Sequence, residues 1–282
     1  STRNLRRKFL ALHMTIINRN HSFIYLKSHK TAGTSTEFYL ITQTDLGSDV
    51  YRTSADIKKL GFPRKRRDRE FVFANKKSVS GEDAGHRNKI SKYFGLASST
   101  RRIKEHMGGC SVRELVGEGV FDHSTVVTNI RNPWDALVSS YHWKKKDKNS
   151  GDRKKSVSFS EYLEGALQVK SNGLSFAQQY LFYPYLSGKG WSVDQVIVFE
   201  DLASSIDSLL NTLGVRHPGF RGSGLVEKSM GRDGDYRVWY TDASAERVQA
   251  HFAWFLERFP YEYDSPGVPP VGADQAANMA PN

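Results

Sequence analysis

A single cysteine, Cys110, stands among 282 residues, so no disulfide can close within the chain. That scarcity fits a reducing compartment. No apolar run approaches the ~20 residues that a membrane-crossing helix needs. The basic opening, Ser1-Thr-Arg-Asn-Leu-Arg-Arg-Lys-Phe-Leu-Ala-Leu-His-Met14, leads into an apolar patch too short and too interrupted for a secretory signal. A cytoplasmic location is therefore expected, although a first residue other than Met leaves a removed upstream membrane anchor open. No His/Cys/Asp/Glu cluster has metal-ligand spacing, so no metal is expected. Recognition-helix, RNP and zinc-finger patterns are missing too, which leaves nucleic-acid binding resting on charge alone.

The charge itself is substantial. A formal net charge of +11 attracts anions: nucleic acid, an acidic polysaccharide, an anionic cofactor or a membrane surface. The 38% hydrophobic content is enough to bury one sizeable core. The expected organisation is one domain over residues 1–264, followed by a Pro-, Gly- and Ala-rich tail at 265–282 with the composition of a disordered segment. Arg64–Arg69 and Lys144–Lys155 lack apolar periodicity and are read as exposed insertions.

Three short runs rich in β-branched and aromatic residues, Phe23–Lys27, Thr125–Ile130 and Gln195–Phe199, read as buried strands, each followed by a helical pattern. Strand and helix in alternation predict an α/β fold with a parallel sheet, whose ligands bind beyond the carboxyl ends of the strands. In the second unit Asn132 caps a helix and Pro133 takes its first position. Trp134, Leu137, Val138 and Tyr141 then recur at core-facing spacing. The other side of that helix carries Asn132, Asp135, Ser139 and His142. Near the C-terminus, Val248, Phe252, Phe255, Leu256 and Phe259 predict a core-packed helix over about Asp242–Arg258.

The most informative stretch is Phe23-Ile-Tyr-Leu-Lys-Ser-His-Lys-Thr-Ala-Gly-Thr-Ser-Thr36. A strand enters a turn of small and hydroxyl residues and leaves it as a helix, so backbone N–H groups and the positive helix end converge as they do around a phosphate. The Mg-ATP version of such a loop ends in Gly-Lys-Ser/Thr. Here Lys30 comes first and Gly33 after it. At the second strand end, Arg131 is placed to reach a phosphate over the sheet edge, with Ser139 two turns along the next helix. The plain alternative pairs Arg131 with a surface carboxylate and leaves Ser139 facing solvent.

Two anion sites on neighbouring strands describe a ligand with two separated phosphates. Lys-Ser-His-Lys-Thr-Ala-Gly-Thr-Ser at 27–35 resembles the 5′-phosphosulfate loop of sulfotransferases, and Arg131 with Ser139 resembles their 3′-phosphate motif. The likeness is greatest to the carbohydrate and polysaccharide O-sulfotransferase branch and extends to Val198-Phe-Glu-Asp-Leu202 and Tyr236-Arg-Val-Trp-Tyr240. This resemblance implies a P-loop-like α/β sandwich, a central parallel sheet flanked by helices. It implies 3′-phosphoadenosine 5′-phosphosulfate (PAPS) as donor, PAP as product, and a hydroxylated acceptor, a glycan or a small molecule.

The resemblance also implies roles. Lys27, His29, Lys30, Thr31, Ala32, Gly33, Thr34, Ser35 and Thr36 would hold the 5′ end, Arg131 and Ser139 the 3′-phosphate. Lys30 would neutralise charge on the bridging oxygen as it leaves. His106 would be the base for the acceptor hydroxyl, with Glu105 as the alternative. Lys228 and Arg232, within the Gly-rich Arg221–Gly234 segment, are candidates for the 3′-phosphate or the adenine. Cys110 falls one helical turn after His106, but without a third orienting residue it reads as an inert thiol. A kinase with a divergent phosphate loop is the alternative function, weakened by the absent Gly-Lys-Ser/Thr order and the lack of a clear magnesium aspartate.

Overall fold

A computed structural model describes residues 15–18, 20–44, 109–146, 157–170, 173–181, 186–187, 190–191, 193–223 and 234–265. The expectations for Arg64–Arg69, Glu105, His106, Lys228, Arg232 and the tail beyond 265 fall outside these residues.

The central strands are β1 (Thr15–Asn18), β2 (Phe23–Leu26), β3 (Thr125–Ile130) and β6 (Gln195–Val198), in the order β1-β2-β3-β6. β2, β3 and β6 run parallel, in registers such as Leu26 beside Thr128 and Ile130 beside Val198. β1 lies antiparallel on the edge, so the sheet is mixed rather than wholly parallel. Two short strands, β4 (Leu186–Ser187) and β5 (Gly190–Trp191), form a separate hairpin.

Helices cover both faces of the sheet, which is why β2 reads as an unbroken apolar run instead of alternating. Ile24 and Leu26 point to one face, into a core shared with α4 (Pro133–Lys146), α5 (Phe159–Leu167) and the C-terminal helices α8 (Asp242–His251) and α9 (Ala253–Leu256). Phe23 and Tyr25 point to the other, against α1 (Gly33–Gln43) and α7 (Leu202–Thr212). The remaining described helices are α2 (Gly109–Val116), α3 (Glu118–Asp122) and α6 (Phe176–Leu181). No helix among the described residues is long and apolar enough to cross a membrane.

Two expectations need correction. The single C-terminal helix is broken at Phe252 (φ −110°, ψ 20°), with Phe252, Phe255 and Phe259 all buried. The segment read as an insertion from Lys144 begins inside α4: Lys144 and Lys145 occupy its last turn, where cations favour the negative helix end. On the polar side of α4, Asn132, Asp135 and Ser139 are buried along with the apolar side.

Candidate active site

The site forms where β2, β3 and β6 end. Residues 27–32 link β2 to α1, and the first turn of α1 opens without a side-chain cap and without an acidic residue. Lys30 (φ 60°) and Ala32 (φ 58°) both adopt left-handed backbone, which costs a non-glycine residue about 1–3 kcal/mol. Such residues fold successive N–H groups into a concavity suited to an anion. The backbone N–H groups of residues 30–34 donate to no acceptor among the described residues. An uncapped, positively polarised cradle is thus held open at a standing cost in strain.

Its floor is rigid. Ser28 Oγ donates to the Asn129 carbonyl at 2.7 Å and meets the Thr31 hydroxyl at 2.7 Å, tying the loop to β3. Asn129 Nδ2 donates to Thr36 Oγ1 at 2.8 Å, and the Tyr25 hydroxyl bonds the Asn129 side chain. Lys27 forms an ion pair with Glu37 at 3.3 Å, the two side chains 8% and 0% exposed. The Lys27 chain also explains the glycine. A Cβ on Gly33 would stand 2.8 Å from Lys27 Cγ, so only a residue without one lets α1 start so close.

The nine loop residues therefore divide. Lys27, Thr31 and Thr36 are buried and bonded within the fold, Gly33 is buried over Lys27, and His29, Lys30, Ala32, Thr34 and Ser35 stay partly accessible around the mouth.

Arg131 joins the loop to the second strand. Its Nη1 donates to the Lys30 carbonyl at 2.6 Å, and Nε and Nη2 fork onto Asp135 Oδ2 at 2.8 and 2.5 Å. Its guanidinium carbon lies 3.8 Å from the centre of the Phe199 ring, just past β6. Arg131 does pair with a carboxylate, then, but with a buried one that fixes its direction. Asn132 caps α4 as the sequence indicates, accepting from Trp134 N at 3.0 Å and Asp135 N at 3.2 Å. Glu200 receives Asn132 N at 2.8 Å and the Tyr261 hydroxyl at 2.8 Å, and burial pushes its carboxyl above the usual range. The Tyr236 hydroxyl meets Asn132 Nδ2 at 3.3 Å, and Tyr240 donates to the Trp134 carbonyl at 2.9 Å. Both outlying segments of the resemblance thus brace the start of α4.

Arg131, Asp135, Ser139 and Trp143 recur every four residues and share one face. Lys30 lies along it, its carbonyl held by Arg131 and its ammonium 5.7 Å from the Trp143 ring centre. Burial, reinforced by the Arg131 charge, lowers the Lys30 pKa from 10.5 to about 8. Sequence reasoning missed Trp143, Asp135 and Glu37 as parts of the site. Only the four-residue spacing from Arg131 could have pointed to the first two.

Of the other histidines, His142 packs edge-on against Trp239 at 4.8 Å, and His123 Nδ1 lies 2.7 Å from the Gly119 carbonyl on an exposed helix end.

No family model matches the chain, and no curated protein does. Among solved structures, mouse sulfotransferase SULT7A1 complexed with PAP superposes with 14% sequence identity and a TM-score of 0.45, over 83% of this chain and 84% of that one.

Proposed function

We propose that the chain is a PAPS-dependent sulfotransferase acting on a hydroxyl, with a carbohydrate as the acceptor. One observation carries the reading. An uncapped N–H cradle lies against a lysine of lowered pKa, and both are tied through Arg131 to the helix bearing Ser139. The accessible loop residues with the Ala32–Thr34 amides fit the 5′ end of the donor, while the Ser35 and Thr36 N–H groups donate to the Ala32 carbonyl. Arg131, Ser139 and Lys228 are assigned to its 3′-phosphate.

When bound, PAPS supplies the sulfuryl group. The chain's own residues do the rest. The cradle holds phosphate oxygens through backbone donors that need no reorganisation at the moment of reaction. Lys30 meets the negative charge that grows on the bridging oxygen as its bond to sulfur breaks, an interaction stronger in the transition state than before it. His106, with Glu105 as the alternative, takes the acceptor proton as the new oxygen–sulfur bond forms.

The test is thermal. PAP without magnesium should raise the melting temperature, and Mg-ATP should not. Stabilisation by Mg-ATP with none by PAP would replace this reading with the kinase. The base is checked by single-turnover transfer. His106→Ala should slow it at least about 10²-fold while PAP binds as before. If His106→Ala keeps its rate and Glu105→Ala loses it, the base is Glu105.

A further inference from the structure

Trp143 sits in the last turn of α4 with 43% of its surface exposed. The Lys30 ammonium lies 5.7 Å from its centre, within cation–π range. No described residue gives that ammonium a carboxylate or a hydrogen-bond acceptor. The charge that acts on it is that of Arg131, which repels it and whose own fork is engaged by Asp135. Lys30 is thus anchored twice along one helix face, by its carbonyl at Arg131 and by its charge at Trp143.

We infer that Trp143 is a positioning residue, a neutral seat that holds the Lys30 ammonium beside the phosphate cradle and gives it up when an anion arrives. The choice of an indole has a physical logic. A carboxylate there would bind the ammonium tightly and repel an anionic donor. No partner at all would leave a flexible, partly buried side chain unplaced, and ordering it would then weigh on every turnover. A ring face attracts a cation while carrying no net charge, so the ammonium is directed without being captured. The role, though not the contact, rests on the sulfuryl-transfer reading of the site.

Fluorescence of the ligand-free protein isolates the contact. An ammonium against an indole quenches it, so Lys30→Met should raise emission in the wild-type background and leave it unchanged in a Trp143→Phe background. PAP should raise emission in the wild type and not in Trp143→Phe, as the ammonium moves to the phosphates. In turnover, Trp143→Leu should lower kcat about 10-fold with KM for PAPS within about twofold, and Trp143→Phe, which keeps a ring, should recover most of the loss. Equal emission with and without the Lys30 ammonium, or a Trp143→Leu enzyme with unchanged kcat, would overturn the seat. If calorimetry finds no PAP binding while the Lys30-dependent emission is present, the donor assignment fails and the contact stands.

Discussion

Lys30→Met should lower kcat for sulfuryl transfer about 10²–10³-fold, the loss seen when a preorganised charge-stabilising donor is removed, while changing PAP affinity only a few-fold. The asymmetry follows from the loop. In the sulfuryl-transfer reading, its ground-state hold on phosphate would come from backbone N–H groups, which a side-chain substitution does not remove. On the same reading, the lysine's larger contribution would arise only as charge develops on the departing oxygen. Its lowered pKa adds a second expectation. With the free enzyme's ammonium titrating near 8, kcat/KM should fall as pH rises through that value, because the deprotonated amine cannot neutralise the leaving oxygen. Lys30→Arg, which stays charged throughout, should be slower but should lose this alkaline limb. A limb of unchanged midpoint in Lys30→Arg would assign the titration to another group. Intact transfer in Lys30→Met would remove Lys30 from the chemistry.

Local grammar was legible and long-range contact was not. The β2–loop–α1 unit could be read because its strand, turn and helix are consecutive, and Asn132 and Pro133 announce the start of α4 within two residues. The bond from Arg131 to the Lys30 carbonyl joins residues 101 positions apart, and no periodicity encodes it. The same holds for Lys30 and Trp143. β1 escaped notice because Thr15–Asn18 gains its identity by pairing with β2 at the sheet edge. Asp135 and Ser139 follow the spacing of a solvated face, yet both are buried, Asp135 in its pair with Arg131. Polar residues on a helix signal water only when nothing else covers them.

The second large effect is expected at Glu37, one turn into α1 and wholly buried. Its position among Phe38, Tyr39 and Leu40 looks like an ordinary helix glutamate, but its carboxylate faces Lys27 at 3.3 Å where little water reaches either group. Glu37→Gln keeps the shape and removes the charge, leaving the Lys27 ammonium buried without it. Breaking a buried pair from one side costs about 3–5 kcal/mol, because the remaining charge keeps its desolvation penalty. Thermal or urea unfolding should show that loss, a fall in melting temperature on the order of 10 °C. PAP affinity should fall as well, since the Lys27 chain runs beneath Gly33 and forms the floor on which the cradle rests. Replacing both partners separates charge from packing. Lys27→Met with Glu37→Leu should regain most of the stability, because well-packed apolar residues can substitute for a buried pair. A Glu37→Gln protein as stable as the wild type would show that the Lys27 ammonium is adequately solvated or held by other contacts. The pair would then be incidental to the loop. A double variant no better than Glu37→Gln would instead make geometry, not charge, the reason both residues are there.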